Sequence, residues 1–501
     1  MARAPDVIVD GSPLDAPTIN VALRVGWLLR TCRLNSRLEH SVSGHSFAAS
    51  LGVGPAMVTK WEKGSDSIDA GAIAGYERLV EAPAGTLRGL VETTRRYFRQ
   101  PVGGRLAETP VTEELDDVSE LVRPAMTGHP SGLDWMHLAD ALAADGPLRV
   151  PDFVAAPVMD RLADELCRSV GGAFLTRYEA LVRLRTGPYG LTVLRTLLDR
   201  ALARDTQAAV ALLNVAAHQP TAELFVDMTR LLLDSREVVF YGAAQALVTM
   251  AVLGGIPKDR MRDTVPRLAD AYNALADDPG RHHHISGMLR NLPPGVLETA
   301  RPDLQRPLSP VTEHYRHSRE AGSVAPIAHE VAEAVKAELP SPVDLMLERL
   351  LHEAMFDPRW PKAHIATMFL SVVPYADLIA SRMVEVAHTH ESPDVRAAAM
   401  LLVMRLDRPG FHHQVEPWVD GPDEQMRRAA LVTLGRTSDE LDPTMLEKLV
   451  VEDWSTARLA LYAAGMGRSP LLAEWAQDPA KTEQVRSGAR WWLRHGGRIT
   501  D

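Results

Sequence analysis

With 501 residues, the chain is longer than a single hydrophobic core usually supports, so we expect two or more structural units. Hydrophobic residues make up 46% and charged residues 24% of the sequence, which is typical of a folded globular protein and excludes a disordered one. The formal net charge of −11 argues at first against nucleic acid as a partner.

The two cysteines, Cys32 and Cys167, exclude a disulfide scaffold and indicate a reducing compartment. The N-terminal residues lack the basic and apolar regions of a secretion signal, and no apolar stretch approaches the length that spans a bilayer. We therefore expect a cytoplasmic protein that does not enter the membrane. Aromatic residues account for only 5%, whereas Ala and Leu recur and β-branched runs are scarce, so the composition predicts an all-α fold.

The charges are unevenly distributed along the chain. Residues 1–18 carry a net charge of −2 and are predicted to form a disordered tail. Residues 19–100 contain 11 Lys and Arg against seven Asp and Glu, a net charge of +4, whereas residues 101–501 have a net charge of −13. A basic segment on an acidic chain indicates that this segment contacts phosphates while the remainder does not.

Residues 19–100 are predicted to form a domain of five helices. The first begins near Ile19 and has an apolar stripe, and three arginines lie outside that stripe: Arg24, Arg30 and Arg33. A short helix over residues 47–51, a turn at Gly52, and a helix over residues 55–63 that ends at Gly64 follow. The last two helices are expected over residues 69–80 and, with Thr86 as the cap, up to about residue 100.

The segment FAASLGVGPAMVTKWEKG, residues 47–64, resembles the core of helix-turn-helix domains of the lambda-repressor/Cro (XRE-like) type. In this pattern Ala48 permits a close helix crossing, and Gly52 accepts the left-handed backbone of the turn. Val58 and Trp61 are the buried side chains of the helix over residues 55–63. The recurrence of Glu62 in the family implies a specific partner, either a basic side chain or a backbone amide. An XRE-like start joined to a long helical body is similar to multidomain regulators of the actinobacterial type.

This resemblance implies that the helix over residues 55–63 lies in the major groove of double-stranded DNA, with a homodimer that contacts two half-sites. The residues that would face the bases are Pro55, Ala56, Thr59 and Lys60. The residues that would contact phosphate are Arg33, Arg37, Ser46 and Lys63. Pro55 and Ala56 offer only apolar contacts, and Lys60 can donate to guanine O6 or N7, so few groups on this helix can distinguish one base from another.

Residues 101–130 are predicted to be a linker with a short helix around residues 113–122.

Residues 131–501 are predicted to form an α-helical, HEAT-like repeat solenoid, clearest in residues 360–501, where an Arg precedes an Ala-rich helix in each copy. Successive arginines of this pattern are 31, 31 and 28 residues apart, and they are Arg396, Arg427, Arg458 and Arg486. Lys362 and residues 235–250 extend the pattern upstream. Each Arg is expected to pair with an acidic group of the next repeat. The alternative is an irregular helical domain whose helices are alike by chance.

The sequence contains no pattern that indicates catalysis, a cofactor or a metal site. The histidine clusters at 282–284, 314 and 317, 388 and 390, and 412–413 lack carboxylates at helical spacing, and His352–Glu353 lacks the second His of a metalloprotease helix. We therefore expect a DNA-binding transcriptional regulator that is not an enzyme, whose repeat domain dimerises or binds a protein or small-molecule partner. The alternative is an interaction scaffold whose helix-turn-helix makes protein contacts. An enzyme related to HEAT-like DNA-alkylation-repair proteins or bilin lyases has little residue support.

Overall fold

The computed structural model describes residues 8–36, 44–101, 118–143, 150–339, 345–408, 412–438 and 440–501. Within these ranges the chain forms 29 α-helices, and the only extended pairing is a parallel bridge between Ser169 and Ile499. The all-α class predicted from composition is therefore confirmed. No helix in the described ranges combines the length and the apolar character that a membrane crossing requires.

The chain divides into two compact units, each assembled from separate segments of sequence. The first comprises Met1–Gly104, Val311–Asp357 and Lys362–Leu471. The second comprises Arg105–Pro310, Pro358–Pro361 and Leu472–Asp501. This division differs from the predicted one, in which residues 131–501 form a single repeat domain, because residues 311–357 and 362–471 share their contacts with the N-terminal segment.

The N-terminal segment contains five helices, as predicted: α1 (Val21–Asn35), α2 (Gly44–Ser50), α3 (Pro55–Glu62), α4 (Ala70–Leu79) and α5 (Thr86–Tyr97). Asp69 caps α4 by accepting a hydrogen bond from the Ala72 amide at 2.7 Å. Thr86 does not cap α5, contrary to the prediction. The carboxylate of Glu77 fills that role, since it accepts hydrogen bonds from the backbone amides of Gly85 and Arg88 at 2.8 and 3.0 Å.

The remaining helices follow in chain order, and their bounds are α6 (Val118–Thr127), α7 (Gly132–Ala143), α8 (Asp152–Arg168), α9 (Gly171–Thr186), α10 (Gly190–Leu202), α11 (Val210–Ala216), α12 (Ala222–Leu231), α13 (Glu237–Leu253), α14 (Lys258–Arg262), α15 (Val265–Ala274), α16 (Pro279–Arg290), α17 (Pro294–Ala300), α18 (Glu313–Ala321), α19 (Pro326–Glu338), α20 (Met346–Phe356), α21 (Trp360–Val372), α22 (Ala376–Thr389), α23 (Pro393–Leu406), α24 (His412–Val415), α25 (Glu424–Thr437), α26 (Pro443–Leu449), α27 (Trp454–Met466), α28 (Leu471–Gln477) and α29 (Glu483–His495).

Two predictions about the segments that flank helices α1–α5 need correction. The predicted disordered tail is packed over its described part, because Ile8, Asp10 and Leu14 are buried in the first unit. In the described part of the predicted linker, α6 spans Val118–Thr127, and Val122 is buried in the core of the second unit. Residues 118–127 are therefore part of a folded unit, while residues 102–117 lie outside the described residues.

In the first unit the C-terminal helices stack in two rows. Helices α20, α23, α25 and α27 contact one another in sequence, and α19, α22 and α24 form the second row. Small residues permit this stacking: a side chain at Gly435 on α25 would place its Cβ 2.9 Å from the Cα of Ala463 on α27. Rows of neighbouring helix pairs that bury a shared core are the arrangement of helical-repeat proteins, which confirms the predicted repeat architecture.

Two of the repeat arginines, Arg396 and Arg427, bind backbone carbonyl groups of the loop that precedes their own helix. Arg396 donates to the carbonyls of His390 and Glu391, and Arg427 donates to that of Val419, at 2.8 to 3.1 Å. Arg427 also pairs with Glu452 of the following repeat at 3.3 Å. The predicted pairing with the next repeat therefore holds for Arg427, whereas the nearby carbonyls at the start of the helix satisfy Arg396.

The second unit has its own rows of helices. Helices α7, α9, α11, α13 and α16 contact one another in order, while α8 packs on α10 and α12 packs on α15. The buried residues between them form one apolar core that extends from α6 to α17, and Trp135, Leu181, Phe240 and Leu268 are all completely inaccessible. Repeat packing is thus present in residues 131–310 as well, where the sequence pattern was weakest.

Candidate nucleic-acid interface

Helices α2 and α3 are joined by a tight turn whose geometry depends on one glycine. Gly52 has φ +70°, a left-handed conformation that residues with a Cβ rarely adopt, and the sequence predicted this position. The amide of Val53 returns to the carbonyl of Ala48 at 3.0 Å and satisfies the end of α2. Ala48 is completely buried where the two helices cross. The turn therefore sets the direction in which α3 leaves α2.

Helix α3 is anchored through its buried side. Val58 and Trp61 are buried, as predicted from the resemblance. Glu62 binds Arg33 of α1 through two hydrogen bonds of 2.6 Å, one to each carboxylate oxygen, and it accepts a third from the hydroxyl of Tyr76 at 3.2 Å. The expectation that Glu62 has a specific partner is confirmed, and of the two alternatives that partner is a basic side chain, Arg33.

The Arg33–Glu62 pair is a buried salt bridge that joins α1 to α3. Burial alone would lower the pKa of Arg33, but the hydrogen bonds and the charge of Glu62 outweigh it and raise that pKa above its ordinary value. Burial and the neighbouring Glu62 together raise the pKa of the Tyr76 phenol, which stays protonated and donates to Glu62. Arg33 is therefore charged at neutral pH, and its two hydrogen bonds to Glu62 hold α3 on α1.

The opposite side of α3 is open to solvent. Pro55, Ala56, Thr59 and Lys60, the four residues predicted to face the bases, are all exposed and lie on one helix. The hydroxyl of Thr59 donates to the Pro55 carbonyl one turn earlier at 3.0 Å, so its hydrogen is engaged within the helix. Lys60 is the only charged side chain among the four. This surface can therefore offer one cationic donor and a small apolar patch.

The predicted phosphate contacts separate into three groups. Ser46 at the start of α2 and Lys63 after α3 are exposed. Arg33 is buried and engaged with both oxygens of Glu62, so its assignment to phosphate contact is wrong: the guanidinium is a structural group of the domain. Arg37 lies outside the described residues.

A buried cluster of charges ties α1 to the repeat helices of the same unit, and sequence reasoning missed it. Arg24 is completely buried and donates to Asp10 at 2.8 Å and to both oxygens of Glu353 on α20 at 2.6 and 2.8 Å. Arg349 and Lys362 also contact Glu353, at 2.7 and 3.3 Å. No local signal could have found this cluster, because Arg24 and Glu353 are 329 residues apart.

The charges of this cluster compensate each other in spite of their burial. Burial would raise the pKa of Glu353, but the surrounding cations outweigh it and hold that pKa far below its ordinary value. The pKa of Arg24 is raised in the same way, since the charges of Glu353 and Asp10 exceed the effect of burial. Arg349 and Lys362 also donate to backbone carbonyls of residues 12–16, which fixes the N-terminal segment in the first unit.

Three of the histidines contact neighbouring backbone or aromatic groups. His352 accepts a hydrogen bond from the Ala325 amide at 3.2 Å, and His388 contacts the indole nitrogen of Trp418. His282 packs against Tyr272, with ring centroids 4.3 Å apart. In the parts of the chain that the structure describes, no three His, Cys, Asp or Glu side chains converge as metal ligands.

No protein-family model and no curated protein matches this sequence. Among solved structures, the chain is similar to an engineered protein at 13% identity and a TM-score of 0.22, over 76% of this chain and 100% of that one. It is also similar to a mutant of Kap121p (10% identity, TM-score 0.25, 94% of this chain and 53% of that chain) and to Kap121p bound to Pho4p (13%, 0.26, 95% and 45%).

The chain thus spans about half the length of the two Kap121p chains. TM-scores of this size do not establish a common fold, and the assignment of fold class comes from the helix packing of the chain itself. On that basis the protein is an all-α helical-repeat protein.

Proposed function

We propose that this protein is a DNA-binding transcriptional regulator whose residues 19–100 form a helix-turn-helix of the lambda-repressor/Cro type. The observation that carries the proposal is the geometry of α2, the Gly52 turn and α3, in which the anchoring side of α3 is buried and the side with Pro55, Ala56, Thr59 and Lys60 is exposed. An exposed second helix is what entry into a major groove requires. The helical repeats would then provide dimerisation or a partner-binding surface.

The composition of the exposed face predicts how such binding would behave. Lys60 and Lys63 are the cations on or next to α3, and Arg33 is unavailable to phosphate. Few phosphate contacts per subunit give weak binding to a single site and a shallow dependence on salt, about −0.9 in log–log slope for each phosphate neutralised. A homodimer on two half-sites would multiply the contacts, which is the arrangement we propose.

A second function is favoured by the scarcity of charge on α3. Repeat helices make up most of both units, and helical-repeat surfaces commonly bind proteins. Pro55, Ala56 and the methyl group of Thr59 would suit a protein contact as well as a thymine methyl. In this alternative the protein is an interaction scaffold, and its helix-turn-helix contacts another protein.

The two functions are separated by titrating fluorescently labelled random duplex DNA with the full chain at 50 and 200 mM salt. Fluorescence anisotropy should rise at micromolar protein, and the affinity should fall at the higher salt. Lys60→Ala should weaken binding, whereas Lys448→Ala, an exposed lysine of α26 in the same unit, should not. Absence of salt-sensitive binding, or an equal loss in both variants, would exclude the regulator and favour the scaffold.

The role of Lys60 itself is resolved by comparing bound sequences. If Lys60 donates to a guanine, Lys60→Ala should remove the preference at one base position at a cost of about 1–3 kcal/mol. Selection of bound duplexes from a random pool, carried out with the wild type and the variant, measures this preference. An equal loss on all sequences would identify Lys60 as a phosphate contact.

A further inference from the structure

A cavity of about 650 Å³ in the second unit is lined by four arginines. Arg290 lies in the last turn of α16, Arg301 and Arg306 follow α17, and Arg359 comes from the short segment that enters α21. Leu304 and Leu308 contribute an apolar wall and pack against the core behind it. The cavity therefore combines concentrated positive charge with an apolar surface.

Where the structure describes the chain, two of the four arginines carry charge that no nearby acid balances, and a third has only an exposed acidic neighbour. Among the described residues, no carboxylate forms an ion pair with Arg290 or Arg301, and the partner of Arg306 is Asp277, which is fully exposed and 3.7 Å away. Burial lowers the pKa of Arg290, and the charge of Arg301 adds to that effect. Arg200, an arginine of similar burial in this unit, differs because it pairs with two carboxylates, Asp160 and Asp164.

The walls of the cavity are held in place by a set of hydrogen bonds. Asn291 donates to the carbonyl of Pro358 at 3.2 Å and accepts from the amide of Trp360 at 3.1 Å, which fixes Arg359 between them. On the other wall Asn273 accepts from the amide of Gln305 at 2.9 Å, and Tyr272 donates to the carbonyl of Pro307 at 2.9 Å. The arginines are thus presented by backbone that is positioned before any ligand arrives, which reduces the entropy that binding costs.

We propose that this cavity binds a small organic phosphate, with two or more phosphate groups on the arginines and a ring or chain against Leu304 and Leu308. The guanidinium group matches phosphate oxygens in pairs and remains charged, which makes arginine the preferred side chain for such ligands. A volume of about 650 Å³ lies in the range of 300–1,000 Å³ that is typical of small-molecule sites. The proposal concerns the second unit alone and is independent of DNA binding by α3.

The test is isothermal titration calorimetry of the full chain with ATP, inorganic pyrophosphate and citrate at 50 mM salt. ATP should bind, and citrate, which has carboxylates only, should bind at least tenfold more weakly. Arg290→Gln and Arg301→Gln should each weaken ATP binding at least tenfold, because each removes a charge-assisted contact. The matched control is Arg230→Gln, an exposed arginine of α12 in the same unit.

Each result of these titrations either supports or overturns the proposed phosphate site. Pyrophosphate that binds better than citrate but more weakly than ATP supports phosphate recognition by the arginines together with the apolar wall. Pyrophosphate that binds as tightly as ATP would overturn the assignment of a ring or chain to Leu304 and Leu308. Binding of none of the three compounds at millimolar concentration would overturn the proposal. Equal losses in Arg290→Gln and Arg230→Gln would do the same, and so would citrate that binds as well as ATP. A random duplex that displaces ATP would assign these arginines to nucleic acid and overturn it too.

Discussion

Arg24 and Arg33 lie on one helix, and both guanidinium groups are buried against carboxylates from other parts of the chain. From the helical pattern alone they belong with Arg30 on the polar side, since they lie outside the apolar stripe of α1. A buried charge is tolerated only where partners satisfy it, and these partners, Glu62 and Glu353, become neighbours only in the folded state. Whether an arginine of this helix is buried therefore depends on the carboxylates that folding brings next to it.

Breaking the Arg33–Glu62 pair should destabilise the packing of α3 on α1. Glu62→Gln leaves Arg33 with about one tenth of its side chain exposed and without a compensating charge, which should cost about 3–5 kcal/mol. Thermal unfolding followed by circular dichroism measures the effect. The double variant Arg33→Met/Glu62→Met should recover most of the loss, because it leaves no unpaired charge. Stability that is unchanged in Glu62→Gln would contradict this account.

Acidification should destabilise the first unit through His352. Burial lowers the pKa of His352 to about 4, below its ordinary value of 6.5. The unfolded chain therefore takes up a proton before the folded chain does, so the contribution of neutral His352 is present above pH 6.5 and is lost between pH 6.5 and 4. The loss should reach about 2 kcal/mol at pH 5.

Denaturant titrations at pH 7, 6 and 5 measure this dependence, and His352→Asn is the comparison variant. Asn keeps an acceptor for the Ala325 amide but does not titrate, so the slope between pH 7 and 5 should be smaller in the variant. The carboxyls of Asp10 and Glu353 do not interfere, because their lowered pKa values confine their effects to pH below 4.5. Identical slopes in the two proteins would contradict the assignment.

At the scale of elements, the crossing of α1 and α3 depends on two glycines. A Cβ at Gly26 in the middle of α1 would lie 2.6 Å from the carbonyl oxygen of Trp61, and a Cβ at Gly64 would lie 2.6 Å from the carbonyl of Ala22. The sequence identified Gly64 as a helix end, which its φ of +62° supports. It gave no sign that Gly26 has a packing role, since a glycine within a helical pattern is ordinarily only a weak helix former.

The stability of the Gly26→Ala variant shows whether helix propensity or packing has the larger effect at this position. Propensity alone would stabilise α1 by about 1 kcal/mol. The clash is with backbone atoms of α3, which cannot move without shifting the whole helix, and overpacking of this kind costs about 1–3 kcal/mol. We therefore expect a lower melting temperature, since α3 would be displaced.

Gly44→Ala is the matched control for this variant. It lies in the first turn of α2, and nothing is within 4 Å of the position of its Cβ, so the melting temperature should stay the same or rise slightly. Circular dichroism melting curves of both variants provide the comparison. A Gly26→Ala protein more stable than wild type would show that the crossing adapts to the extra methyl group.

At the scale of the whole molecule, the first unit joins residues that are far apart in sequence. Glu353 is the common partner of Arg24, Arg349 and Lys362, and all four side chains are buried. Helix α1 is therefore not part of a module on a flexible tether within this unit. A change in the repeat helices α20 and α21 can reach α1 directly through this cluster, and α1 in turn holds α3 through Arg33 and Glu62.

Glu353→Gln should loosen both parts of the first unit together. The substitution leaves three buried cations without their shared carboxylate, at a cost of about 3–5 kcal/mol. Hydrogen exchange measured by mass spectrometry should show reduced protection in α1 as well as in α20. Glu385→Gln, which removes an exposed partner of Arg382 on α22, should change neither. Loss of protection in α20 alone would show that the two parts are not energetically coupled.

The sequence by itself determined the all-α class, the five N-terminal helices, the Gly52 turn, the exposure of Pro55 and Lys60, and the repeat period. These properties depend on residues that are close in the chain, so periodicity and turn chemistry reveal them. Only the tertiary structure decided the division into two units, the burial of Arg24 and Arg33, the packing of residues 8–18 and the arginine cavity. Each of these depends on partners tens to hundreds of residues away, and folding alone makes them neighbours.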